Sequence, residues 1–364
     1  MRILYGVQGT GNGHLSRARV MAKALAAHGM EVDYLFSGRA ADKYFDMQPF
    51  GDFQALPGLS FATHRGKVNI PATIKHNSLL GLWHDIRHLD LSGYDLVLND
   101  FEPISAWAAR RQGVTCIGIS HQAALRWPVP KVGNSWFNAG LLAYFAPVNL
   151  ALGCHWHHFG FPILPPFVEV APVTSEATHE ILVYLPFESP GDIRALLLPF
   201  DSHEFHVYHS GAAPKQLPAH IHWHGFNRDG FKQAMARCGG VIGNAGFELA
   251  SEAMALGKKL LVKPLMGQFE QLSNVAALEL LAAAESMHSL SRQTLRRWLR
   301  ASNPQPICYP DVGDMLVRWL QQGDWQDTQA LCRDMWSKVR LPDSWFSRQD
   351  SQALGQPLTR PLSR

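Results

Sequence analysis

Short apolar runs alternate with stretches of helical period through the first half of the chain. Ile3–Val7, Val32–Phe36, Asp95–Leu98, Val114–Ile119 and Val148–Leu152 have the length and content of buried strands. Between the first two, Leu15, Ala18, Met21, Ala22 and Leu25 recur at helical spacing, and Gly29 ends the helix. This strand–helix–strand rhythm predicts a parallel sheet covered by helices on both faces. Residues 51–80, punctuated by Gly and Pro, predict a long active-site loop. The proline-rich stretch Phe159–His179 shows neither period and predicts a linker. After it the rhythm restarts, with strands at Ile181–Leu185, Phe205–His209, Ile221–His224, Gly240–Gly243 and Lys259–Lys263. Helices are expected at Phe231–Arg237, from Gly246 and after Phe269. The expected organisation is α/β throughout: a domain over 1–160, a linker over 161–179, a second domain over 180–340 and a polar tail over 341–364.

Length agrees with this division, since 364 residues exceed one ordinary domain. With 46% hydrophobic and 17% charged residues, the chain carries enough apolar material for real cores. The formal charge of +3 demands no polyanionic partner, so no nucleic acid is expected. The five cysteines are odd in number, far apart and never in C-x-x-C spacing, which argues against a disulfide framework and for a reducing cytoplasm. Gly6–Gly13 interrupts the first apolar run, so no signal peptide is expected, and no window approaches 18 apolar residues.

The opening "QGTGNGHL" needs a closer look. A dinucleotide fingerprint would place glycine at the position of His14, and an acid at the end of the second strand, which instead reads "YLFSGR". No G-K-[ST] follows either. A nicotinamide cofactor is therefore disfavoured. Gly11 and Gly13 still let backbone and ligand approach closely. His14 stands where a strand hands over to a helix, at the sheet edge where ligands gather. A helix N-terminus lowers an imidazole's pKa, and a neutral imidazole is a competent general base. The competing role is a cap or turn filler. In "LVLNDFEPISAW", Asp100 and Glu102 lie just past another strand. Either can orient His14 or act as base, and the competing role is an N-cap, by Asp100 or Ser105, for a helix over Ile104–Arg111. His121 in "IGISHQA" also ends a strand and is a candidate for the acceptor cleft.

Gly240–Leu281 reads strand, Asn-Ala-Gly turn, helix, Gly257, strand, proline loop, helix. Free N–H groups near Gly246 could hold a diphosphate. The order Gly246, Glu252-Ala253, Gly257, Pro264 and Glu270-Gln271-Leu272-Ser273-Asn274 resembles the donor-binding region of GT-B glycosyltransferases. The nearest pattern is that of the lipid II N-acetylglucosaminyltransferase and UDP-glycosyltransferase group. The motifs "GTGNGH", "DFEP" and "GQFEQ" also resemble those of an uncharacterised glycosyltransferase-like group. The resemblance implies two Rossmann-like domains facing across a cleft. It implies an inverting, metal-independent transfer from a nucleotide-diphosphate sugar, a UDP-sugar first among them, with no other cofactor. It further implies that Glu252 binds ribose hydroxyls, that Glu270 and Gln271 bind donor-sugar hydroxyls, and that His14 is the base. Gly11, Gly13, Asn244, Gly246 and Phe247 would line the donor site. Asn244 stands where many relatives have His, Arg or Ser, Leu249 where they have Ser or Thr, and Glu270 where Asp is commoner. Ser210, Gly211 and Phe226, near strand ends, are candidates for nucleobase contact. A nucleotide-sugar hydrolase and a non-catalytic nucleotide-sugar-binding protein are the alternatives.

Two further clusters weigh less. "GCHWHHFGF" holds Cys154, His155, His157 and His158, too crowded to give one ion four ligands, so packing is expected. "WFNAGLLAYFAPV", Trp136–Val148, reads as a buried helix. With Arg110, Arg111, Arg126 and Lys131 nearby, the competing reading is peripheral contact with the inner face of a membrane. The acceptor is left open, a lipid-linked molecule or a glycan among the candidates.

Overall fold

A computed structural model describes residues 1–59, 63–64, 67–68, 78–133, 140, 142–169 and 177–342. The first sheet contains β1 (Arg2–Gln8), β2 (Glu31–Ser37), β3 (Gln54–Leu56), β4 (Leu96–Asp100), β5 (Cys116–Ser120), β6 (Leu150–Cys154) and β7 (Ile163–Leu164). These strands lie in the order β3-β2-β1-β4-β5-β6-β7, all parallel. The connecting helices are α1 (Asn12–Ala27), α2 (Leu79–His88), α3 (Pro103–Gln112) and the single turn α4 (His121–Ala124). Past Arg2, β1 is buried along its whole length, which is why it reads as one unbroken apolar run. Leu15, Ala18, Met21, Ala22 and Leu25 of α1 are all buried, and Gly29 takes the positive φ of 65° that turns the chain into β2.

The second sheet repeats the design with β8 (Ala177–Tyr184), β9 (Glu204–Tyr208), β10 (Ile221–His224), β11 (Cys238–Asn244), β12 (Lys259–Lys263) and β13 (Glu285–Ser286). Its order is β10-β9-β8-β11-β12-β13, again all parallel. Its helices are α5 (Pro190–Leu197), α6 (Arg228–Arg237), α7 (Phe247–Ala255), α8 (Phe269–Leu280) and α9 (Arg292–Leu299). Helix α6 begins a turn before the expected Phe231 because Asn227 accepts a hydrogen bond from the Gly230 N–H and caps it. In both sheets the strand order reverses in the middle, between β1 and β4 and between β8 and β11. A crevice opens at the carboxyl ends of such a strand pair.

The proline-rich stretch is not connective throughout. Ile163 and Leu164 are fully buried as β7, and residues 170–176 lie outside the described residues. Two last helices, α10 (Val312–Gln322) and α11 (Thr328–Ser337), pack back on the first sheet's side. Asp314 of α10 bonds His28 at 2.8 Å, and the Trp336 indole of α11 donates to the Ile163 carbonyl at 2.6 Å. At Gly313 a Cβ would stand 3.2 Å from Val20, so α10 and α1 approach closely. Within the expected loop 51–80, residues 60–62, 65–66 and 69–77 lie outside the described residues, as do 136–139 and 141 of the apolar stretch and 343–364 of the tail. Among the described residues, no helix is long and apolar enough to cross a membrane.

Candidate active site

The two crevices face each other, and three helix N-termini open there. Gly11 precedes α1, Gly246 precedes α7 and Gln268 precedes α8, and none of the three supplies a side-chain cap. Every other α-helix described above is capped by a side chain: Ser78, Glu102, Ser120, Ser189, Asn227, Ser291, Asp311 or Asp327. Among the described residues, the first-turn N–H groups of α1, α7 and α8 therefore have no capping side chain, and they carry the positive end of a helix dipole. At Gly11 only the His14 ring comes within 4 Å of a hypothetical Cβ, at 3.9 Å, so the space there is open.

His14 is the third residue of α1 and Asp100 the last of β4, so the switch point brings them together. The His14 Nδ1 lies 2.8 Å from Asp100 Oδ1. Asp100 is fully buried, and the Arg17 guanidinium grips it with Nε on Oδ2 at 2.8 Å and Nη2 on Oδ1 at 2.7 Å. Arg17 Nη1 reaches across to Glu248 Oε1 on α7. Burial alone would raise the Asp100 pKa, but Arg17 and His14 hold the carboxyl below its ordinary range. Burial pushes the His14 imidazole down, whereas the charge and hydrogen bond of Asp100 push it up, and the net direction is up. The helix end was expected to lower this pKa; the buried carboxylate outweighs it. With Nδ1–H donated to Asp100, the lone pair sits on Nε2, which has Gln122 Nε2 at 3.5 Å and faces the cleft.

Glu270 at the start of α8 comes into the same space. Its Oε2 accepts from Gln122 Nε2 at 2.9 Å, linking α8 to the neighbourhood of His14. Gln271 is buried, and its Oε1 accepts the Leu265 N–H at 2.7 Å, so it also shapes the loop before α8. Glu252 is half-buried on α7, and its carboxylate makes no hydrogen bond among the described residues. Burial lifts its pKa to about 7 against the opposing charge of Lys232. Phe226 is exposed and lies near Tyr184 and, across the cleft, near Phe45. Ser210 is exposed beside it in sequence to Gly211, whose carbonyl accepts from the Trp223 indole at 3.0 Å.

Several sequence expectations need correction. Glu102 does not face the cleft: it is fully buried as the N-cap of α3, accepting from Ile104 N, Ser105 N, Ser105 Oγ and Ser37 Oγ at 2.6–2.8 Å. The cap is thus Glu102 rather than Asp100 or Ser105. His121 is buried too. Its Nδ1 meets the Cys154 carbonyl at 2.9 Å, its Nε2 meets Asn274 Oδ1 at 2.7 Å, and its ring stacks on Phe247 at 4.0 Å. Both rings are packing between the domains, so Phe247 can offer a ligand only its backbone N–H. Asn244 uses its amide on the Lys263 carbonyl at 2.9 Å and leaves Oδ1 buried without a partner among the described residues. An orphan acceptor suits an approaching hydroxyl, not a phosphate oxygen. His155, His157 and His158 each accept a backbone N–H on Nδ1, from Trp156, Phe159 and Gly160, and serve the turn they sit in.

Arg17, Glu248 and Gln122 are the site residues that pattern reading passed over, whereas Asn274, which closes the Glu-Gln-x-x-Asn pattern, holds the His121 ring at the interface. Arg17 carried one usable signal: it lies three residues after His14, on the same side of the helix.

The sequence matches the model of glycosyl transferase family 1 over residues 1–132 and 159–302. No curated protein matches the chain at the level of sequence. The fold is similar to that of the glycosyltransferase SnogD from Streptomyces nogalater, at 17% identity over 92% of this chain and 96% of that chain, with a TM-score of 0.53. It is similar to Arabidopsis thaliana UGT89C1, solved with quercetin, at 15% identity over 92% and 99%, TM-score 0.55. It is also similar to the glycosyltransferase VinC, solved in complex with DTDP, at 14% identity over 82% and 91%, TM-score 0.52.

Proposed function

The chain belongs to glycosyl transferase family 1 and is a GT-B glycosyltransferase, and from that premise we propose that it moves a sugar from a nucleoside-diphosphate donor to an acceptor hydroxyl, with inversion and without a metal ion. The observation that carries the reading is the His14–Asp100 pair at 2.8 Å, placed opposite the uncapped end of α7. His14 Nε2 takes the acceptor's proton as its oxygen attacks the anomeric carbon, and the nucleoside diphosphate leaves from the opposite side. A single displacement of this kind inverts the centre. The first-turn N–H groups of α7, at Phe247, Glu248 and Leu249, support the departing charge. Glu270, with Gln271 behind it, holds the donor sugar, and Glu252 accepts from the ribose hydroxyls. Phe226 offers a face to the base, and the pyrimidine nucleotide bound by VinC puts UDP- and dTDP-sugars first among donors.

The test is transfer and donor consumption with UDP-, GDP-, dTDP- and CMP-sugars, using mixed acceptors. A UDP- or dTDP-sugar is expected to be consumed and its sugar found on an acceptor. Release of free sugar alone would make the protein a hydrolase, and no binding to any donor by the folded protein would overturn the reading. A second expectation concerns pH. Glu252 is a carboxylate above about 7 and accepts hydrogen bonds best in that form. Donor affinity should therefore weaken as pH falls through that value, and Glu252→Gln should flatten the dependence. Calorimetric titration of donor across pH 5.5–8.5 checks both.

A further inference from the structure

Arg17 is a charged side chain only 1% exposed, and it touches carboxylates of both domains: Asp100 on β4 and Glu248 on α7. The chain makes room for the second contact, because a Cβ on Gly13 would stand 2.5 Å from Glu248 Oε2. We propose that Glu248 is a positioning residue acting across the domain boundary: through Arg17 it supplies the negative charge that lets His14 hold the acceptor's proton, so the base is at full strength only with the two domains together. The inference rests on the reading of His14 as base.

Charge balance in the cluster sets the strength of the base. Within the first domain, Arg17 and Asp100 cancel, and a proton on His14 would leave the cluster positive. Glu248 brings the sum to minus one, and the proton on His14 then returns it to zero. In a buried cluster such a difference decides where the proton sits. The other groups facing His14 do not supply it. Glu270 reaches it only through the amide of Gln122. Burial keeps the thiol of Cys154, 4.0 Å from Arg17, and the phenol of Tyr5 protonated. His121 is turned away onto Cys154 and Asn274. The charge of Glu248 is among the influences that raise the His14 pKa.

Glu248 also stands in the first turn of α7, where the donor's diphosphate would dock. A carboxylate there opposes a diphosphate, so a residue kept for donor binding would be neutral. Its charge works against donor affinity and for proton transfer, and this separates the two in an experiment.

The test uses Glu248→Gln, which keeps the shape and loses the charge, and Gly13→Ala, which crowds the carboxylate without altering it. The His14 imidazole is titrated by NMR in the full chain, its signal assigned by its loss in His14→Gln. In both variants the midpoint should move to lower pH than in the unaltered protein. An unchanged midpoint in both would overturn the proposal. This readout needs no turnover, so a protein inactive on every donor would fault the reading of His14 as base and leave the titration result to stand by itself. Where turnover is measured, kcat of Glu248→Gln should fall by a part of the about 10²–10⁴-fold that a positioned general base contributes, with donor KM no higher. A raised KM with unchanged kcat would assign Glu248 to donor binding instead.

Discussion

Replacing His14 with alanine is expected to lower turnover by about 10²–10⁴-fold, the range for loss of a positioned general base, and to leave donor binding in place. The reason is geometric. His14 sits at the mouth of the first crevice with its ring fixed by Asp100, and the groups proposed to hold the donor lie on α7 and α8 of the other domain. Alanine is compatible with the first turn of α1 and removes no contact that spans the domains. Single-turnover rates, set beside donor affinity from calorimetry, separate the two effects. Turnover within threefold of the unaltered protein would remove His14 from the mechanism.

The second large effect is on stability. Arg17→Met is expected to cost about 3–5 kcal/mol, the usual penalty for removing one partner of a buried ion pair. Met fills much the same volume, so the loss is electrostatic. Asp100, fully buried, would keep only His14 among the described residues, and Glu248 would face the first turn of α1 at Gly13 without a cation. Replacing the whole cluster by apolar residues need not cost as much, since the penalty comes from the charge left behind. Urea unfolding should show a lower midpoint with an unchanged slope. An unchanged midpoint would mean that Asp100 finds other partners.

Much of the fold was legible because parallel strands covered on both faces must be apolar through their middle, as Ile3–Val7 and Leu260–Val262 are. His14 and Asp100 were legible for a related reason: Asp100 ends a strand and His14 opens the helix that follows another, both at the carboxyl edge where the crevice opens. That rule names the edge and not the direction a side chain takes from it. Glu102 and His121 stand at the same edge, yet one turns inward to cap a helix and the other packs between domains. Arg17 and Glu248 were hidden because a charged residue at helical spacing reads as a solvated face. They pair where the two domains meet, and no local pattern reports that meeting. The packing of α10 and α11 against the first domain is tertiary in the same way.

Those last two helices change what kind of object the molecule is. The chain passes from the first sheet to the second after β7 and returns before α10, so two connections join the domains rather than one. A fragment cut after Leu164 would not be the first domain, since it would lack the helix that covers Val20 and Ala24 of α1. A chain nicked after β7 would still hold its two lobes together through α10 and α11, which belong to one lobe by sequence and to the other by packing.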